Sequence, residues 1–306
     1  MQVARPSTLW FTAAMTLLVA GAAAVVGAEV EALSPWIALV PALGLPLLLL
    51  RRPLRRWRAL QQPLPPEQRT WLEAHVPLYA RLGPADRARF ERDVQLVLAE
   101  ARFEAVPPVE LTDELRLSVA GGAALLLHGR PDWELDLSRT FLFYPGTFDE
   151  EYLVQEESEF DGMVHPQGPV VLSAEAVRRG WGRADGSNVV LHELAHLFDF
   201  DLEGADGVPS LIDPSSREAW VALTKREMAL AKQGRSLLRR YAATHPSELF
   251  AVATERFFER PDSLARRHPE LFDALVALYD LDPRLGDDED AADAEPTESL
   301  MARRWR

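Results

Sequence analysis

The stretch 188–200, NVVLHELAHLFDF, decides how the rest of this chain is read. It sets His192 and His196 four residues apart with Glu193 directly after the first, and on a helix the i and i+4 side chains share a face. Both imidazoles can therefore approach one metal ion from adjacent turns, while Glu193 is offset enough to stand beside a water held there. Ser187 or Asn188 suits the N-cap, and Val189, Val190, Leu194, Ala195 and Leu197 supply the burial that fixes such a helix. Two imidazoles in the middle of a buried helix need partners or a metal, because unpaired buried polar groups are expensive. The 306 residues include no cysteine, which excludes disulfides, thiol nucleophiles and thiolate zinc sites. Any metal must be held by histidines, carboxylates and water.

Working outward, the helix runs into DFDLEGADG (199–207), a turn rich in glycine and acids. Asp199, three positions after His196, is placed either to hydrogen-bond a ligand imidazole from behind or to close the helix. Two histidines leave a catalytic zinc site one protein ligand short. The segment 241–261, YAATHPSELFAVATERFFERP, supplies two carboxylates seven residues apart, Glu248 and Glu255, on one face of a helix. Glu248, near the helix start, can be presented to a neighbouring element. Glu255 can equally bond a ligand imidazole and fix its tautomer. Spacing leaves both roles open. His245, beside Pro246, suits the helix entry.

Residues 61–283 have the length of one enzyme domain. Helices are expected at about Pro66–Ala80 and Pro84–Phe103, then Ser216–Ala231, Ser236–Ala243, Pro246–Phe258 and about Pro269–Tyr279. Between the two groups, TFLFYP (140–145) and PVVLS (169–173) read as strands, and ELRLSVAGGAALLLHG (114–129) as an apolar strand or buried helix. The acidic EYLVQEESEFDGM (151–163) reads as a hairpin or surface loop. Helices, a small sheet and helices again describe an α+β domain. No glycine-rich phosphate loop or dinucleotide fingerprint occurs, which leaves ATP and nicotinamide chemistry without support.

HELAHLFDFDLEGADG, taken together with YAATHPSELFAVATERFFERP and GPVVLSAEAVRRG (168–180), resembles the Mlc titration factor A family of glucose-regulated, zinc-dependent peptidases. The resemblance covers essentially 61–283 and implies a zincin-like metallopeptidase domain whose core is similar to that of anthrax lethal factor. It implies Zn2+ held by His192, His196 and Glu248, with Glu193 as general base acting on a peptide or protein substrate. It further implies that Tyr241, seven residues before Glu248, donates to the developing oxyanion. The strand at Val170–Ser173 would then present an edge to the substrate. The family's association with the Mlc repressor implies an alternative: a regulatory protein that binds a transcriptional repressor, its zinc structural or its peptidase activity vestigial.

The two ends differ from this domain. LWFTAAMTLLVAGAAAVVG (9–27) carries no charge and is long enough to cross a bilayer core of about 30 Å. LSPWIALVPALGLPLLLL (33–50) is a second apolar segment, weakened by Pro41 and Pro46, and RRPLRRWR (51–58) follows it. The positive-inside rule then expects residues 1–60 to form a two-helix transmembrane hairpin in a bacterial inner membrane, with the catalytic domain cytoplasmic. Residues 284–306 form a charged tail of low complexity. Seven of its acids contribute to a formal charge of −14, and that balance argues against direct nucleic-acid binding.

Overall fold

The computed structural model describes residues 1–4, 6–29, 39–148, 160–165, 168–201, 204–205, 207–210 and 212–284. The chain divides into two compact units, Met1–Pro63 and Leu64–Arg306. Apart from residue 284, the tail expected at 284–306 lies outside the described residues, as does 151–159 of the acidic stretch.

In the first unit, α1 (Pro6–Glu29) has 24 residues, about 36 Å of helix. Among the described residues it is the one helix long and apolar enough to cross a bilayer. α2 (Leu39–Leu49) packs against it but has only 11 residues, about 16 Å. The expected pair of spanning helices is therefore one long and one short apolar helix here, and residues 30–38 lie outside the described residues. α3 (Arg51–Ala59) follows almost without interruption, since the Leu50 N–H donates to Pro46 O at 2.8 Å and the Leu54 N–H to Leu50 O at 2.9 Å.

The second unit opens with α4 (Pro66–His75) and α5 (Pro77–Arg81), which divide at Val76 where one helix was expected. Pro77 drives the residue before it out of the helical region, and Val76 is extended. α6 (Pro84–Glu100) stops short of Phe103, because Arg102–Ala105 forms β1. The stretch 114–129 is a helix: α7 (Asp113–Leu127), capped by Thr112 and buried along nearly its whole length. Beyond its charged first turn, the stretch Val119–Leu127 is apolar all round, and such a stretch belongs in a core. Its Gly121 and Gly122 do not break it. They let it pack closely, since a Cβ at Gly122 would stand 3.0 Å from Val190 and 3.1 Å from Leu194.

β2 (Thr140–Tyr144), β3 (Gly162–Val164) and β4 (Val170–Ser173) join β1 in a sheet of order β1-β2-β4-β3. β1, β2 and β4 are parallel, and β3 runs antiparallel to β4. This corrects one expectation: β4 is interior and fully buried, so the edge on this side belongs to the half-buried β3.

From β4 the chain enters α8 (Ala174–Gly182), with Ser173 as its cap, and then α9 (Val189–Asp199). The strands β5 (Phe200–Asp201) and β6 (Gly204–Ala205) make a short ribbon after it. α10 (Arg217–Lys232), α11 (Pro246–Glu259), α12 (Pro261–Arg267) and α13 (Pro269–Tyr279) complete the unit. Phe250 and Phe257 of α11 are fully buried; Phe250 meets Trp220, and Phe257 meets Phe272 and Tyr279. The helix expected at Ser236–Ala243 shrinks to a 3₁₀ turn, Arg240–Ala243. Its first residues bond elsewhere: the Leu237 N–H donates to His268 Nε2 at 3.2 Å, and the Leu238 N–H to Ser236 Oγ at 3.0 Å.

Candidate metal centre

Asn188 starts α9. Its Oδ1 accepts from the N–H groups of Val190 at 3.1 Å and Leu191 at 3.3 Å, which satisfies two donors of the first turn. α11 starts with Pro246 at its first position and His245 as its cap, the imidazole accepting from the Ser247 N–H at 3.3 Å. The two helices pack against each other, which sets His192 and His196 opposite Glu248.

The donor atoms of His192, His196 and Glu248 all lie within 4.8 Å of one another. The two Nε2 atoms are 3.3 Å apart. Glu248 offers Oε2 at 3.0 Å from His192 Nε2 and Oε1 at 3.6 Å from His196 Nε2. Donors held about 2.0–2.1 Å from a tetrahedral ion are separated by about 3.3 Å. The nitrogen and carboxylate donor set thus fits a divalent metal in both chemistry and spacing.

Behind the donors, the opposite ring nitrogens are occupied. His192 Nδ1 donates to Glu255 Oε1 at 2.9 Å, and His196 Nδ1 lies 2.9 Å from Ser247 Oγ. Both bonds turn Nε2 toward the shared centre. Glu255 is only 1% exposed, and it also accepts from the Asn188 N–H at 2.6 Å and from Arg239. Three donors compensate the buried charge.

Electrostatics show what the cluster requires. Burial pushes the His192 imidazole down, yet its hydrogen bonds to Glu248 and Glu255 outweigh this and lift its pKa to about 10. Burial likewise raises Glu248, but His192 and His196 hold it well below the carboxylate range. The carboxylates favour positive charge at their centre, which a metal ion would supply.

Glu193 is buried, and burial raises its pKa while the two imidazoles pull it down. It lies against β3, where a Cβ on Gly162 would fall 2.5 Å from its Oε1. Tyr241, on the 3₁₀ turn and 44% exposed, has its ring centroid 6.2 Å from that of His192. Burial and a hydrogen bond to Glu248 raise its phenol pKa. A cavity of about 240 Å³ opens here, lined among others by Gly162, Val189, His192, Glu193, Arg239 and Tyr241.

The structure thus brings His192, Glu193, His196, Tyr241, Glu248 and Glu255 together. Asp199 is buried at the end of α9, where its Oδ1 accepts from the Gly207 N–H at 2.8 Å and ties that end to the following turn. Gly207 has φ +76°, and Trp220 Nε1 donates to its carbonyl at 2.7 Å. Sequence reasoning missed Ser247, Gly162 and Arg239. Ser247 was signalled by its place beside Glu248, whereas Gly162 and Arg239 acquire their roles only when distant segments meet.

The chain matches the family described as glucose-regulated metallo-peptidase M90 over residues 51–280. It is 32% identical over 257 residues to an uncharacterised protein of Synechocystis sp., covering 75% of this chain and 89% of that protein. It is 30% identical over 253 residues to Mlc titration factor A of Edwardsiella ictaluri, covering 74% and 92%. With Mlc titration factor A of Klebsiella pneumoniae the identity is 31% over 230 residues, covering 68% and 84%.

Proposed function

This chain belongs to the glucose-regulated metallo-peptidase M90 family, and from that premise we propose that it is a zinc-dependent peptidase anchored in a bacterial inner membrane, its catalytic unit in the cytoplasm. The observation that carries the reading is the convergence of His192, His196 and Glu248 beside Glu193 at the wall of a cavity. When bound, zinc supplies Lewis acidity to a peptide carbonyl and to a water. Glu193 takes a proton from the attacking water on its carboxylate and returns it to the leaving amine. Tyr241 donates its phenolic hydrogen to the carbonyl oxygen as that oxygen becomes negative, an interaction concentrated in the transition state. Glu255 and Ser247 fix the two imidazoles by their Nδ1 atoms. A peptide laid along β3 passes directly over Glu193, the close approach that Gly162 permits.

The length and apolarity of α1 support anchoring, and the arginines of α3 support a cytoplasmic catalytic unit. A second reading is favoured by the name of the relatives, Mlc titration factor A: the chain binds the Mlc repressor, and its metal is structural. Chelation separates the two. The purified full chain in detergent should hold near-stoichiometric zinc, lose peptidase activity when the metal is stripped, and regain it when zinc is returned. Failure of the wild type to bind zinc would sink the enzymatic reading. Zinc binding without turnover on a broad peptide library, together with capture of Mlc, would favour the regulatory one.

A further inference from the structure

The helix α3 is strongly two-sided. At 100° per residue, Leu50, Pro53, Leu54, Trp57 and Leu60 occupy one arc, while Arg51, Arg52, Arg55, Arg56 and Arg58 occupy the opposite one. Trp57 is 54% exposed and Leu54 is 37% exposed, so the apolar arc is open rather than packed away. Five arginines in nine residues contrast with a chain whose formal charge is −14. Arg56 also bonds the backbone carbonyl of Gln2, which puts α3 and the start of α1 at the same end of this unit.

We infer that α3 is a membrane-surface helix that selects anionic lipid headgroups. Leu54 and Trp57 enter the boundary between headgroups and acyl chains, and the exposed Arg51, Arg52, Arg55 and Arg58 engage lipid phosphates, whereas Arg56 is buried against Gln2. Three observations point to lipid rather than to a nucleic acid or an acidic protein. The arginines begin directly after an apolar helix, so an anchored α1 and α2 deliver them to the headgroup layer. The open face carries a tryptophan, the residue type that concentrates at that layer. Finally, the apolar arc has the i, i+3, i+4, i+7 spacing of a helix that presents one apolar stripe to the boundary layer. The inference rests on the anchoring proposed above and adds to it the lipid class and the face that reads it.

The absence of cysteine makes a single-site test clean. The full chain carrying Leu60→Cys is labelled with an environment-sensitive fluorophore and reconstituted in two kinds of vesicle. One is phosphatidylcholine alone, the other phosphatidylcholine with about 30% phosphatidylglycerol. Both carry a small share of phosphatidylcholine with a nitroxide quencher near the top of its acyl chain. The expected result is a blue shift and quenching in the phosphatidylglycerol vesicles, both reversed by high salt and lost when Arg51, Arg52, Arg55 and Arg58 are changed to Gln. A second protein labelled through Leu17→Cys in α1 reports the anchor itself. A buried label at 17 with a label at 60 that stays aqueous overturns the surface-helix inference and leaves the anchor standing. Burial at 60 that ignores lipid charge, salt and the arginine changes overturns the selectivity. A label at 17 that stays aqueous overturns the anchor and the inference together.

Discussion

The centre is built from two unlike sides. On one, α9 and α11 are regular, tightly packed helices whose polar atoms behind the donors are matched: Nδ1 of His192 by Glu255, Nδ1 of His196 by Ser247, and Glu255 by Asn188 and Arg239. On the other, the three-residue strand β3 and a 3₁₀ turn bring Gly162 and Tyr241 to an open cavity. The closed side presents the donors that could hold a metal ion, and the open side leaves a cavity beside them. Holding and turnover should therefore be separable by mutation.

The largest effect is expected on the closed side. Glu248→Gln removes a donor atom and should lower zinc affinity by more than about 100-fold, whereas Glu255→Gln, which acts through His192, should cost about 10–100-fold. Competitive zinc titration reads both, and the reverse order would exchange the roles of the two carboxylates. Gly162→Ala tests the open side. Its Cβ would collide with Glu193 Oε1, and displacing a reacting group by about 1 Å costs about 100-fold in rate. Zinc content should stay at the wild-type level, and a parallel loss of zinc would show that the two sides are not independent.

A smaller effect concerns the turn into α9. Glu259 accepts from the Gly186 N–H at 2.8 Å and from Asn188 Nδ2 at 3.2 Å, and burial raises its pKa to about 7, with Asp185 and Glu255 adding to the rise. A carboxyl raised above its unfolded value favours folding below that value, and the contribution is lost as pH climbs through the folded pKa. The group should thus weaken the fold progressively from about pH 4.5 to about pH 7, by an amount on the order of 3 kcal/mol. Thermal melts of metal-free wild type and Glu259→Gln across that window should show a flatter pH dependence in the variant. Identical slopes would mean that the carboxyl titrates near its ordinary value.

The same division explains what was legible beforehand. α9 and α11 announce themselves by spacing: two histidines at i and i+4, two carboxylates seven apart, and a proline at the entry of the second helix. Local rules govern such features. α7 reads as strand or helix because its apolar stretch has no period, and its two glycines read as an interruption because only the fold brings α9 against Gly122. β1 was absorbed into the helix before it, and β3 into an acidic stretch whose composition suggested only surface. Glu248 and Glu255 could not be told apart by number, since their difference is which ring nitrogen each one faces. Asp199 offers two roles by its spacing, and its Oδ1 fills the one that closes the helix, accepting from the Gly207 N–H.

The most direct test of a hydrolytic centre is Glu193→Gln, with zinc content and peptide turnover measured on the same preparation. Glu193 is the one member of the HELAH pair-and-acid group whose described surroundings include no role in holding a metal: it lines the cavity and lies against Gly162. Zinc content should equal that of the wild type, and turnover should fall by about 100- to 10,000-fold, the range for removal of a general acid–base group. Turnover that survives the substitution, with zinc in place, would contradict that role.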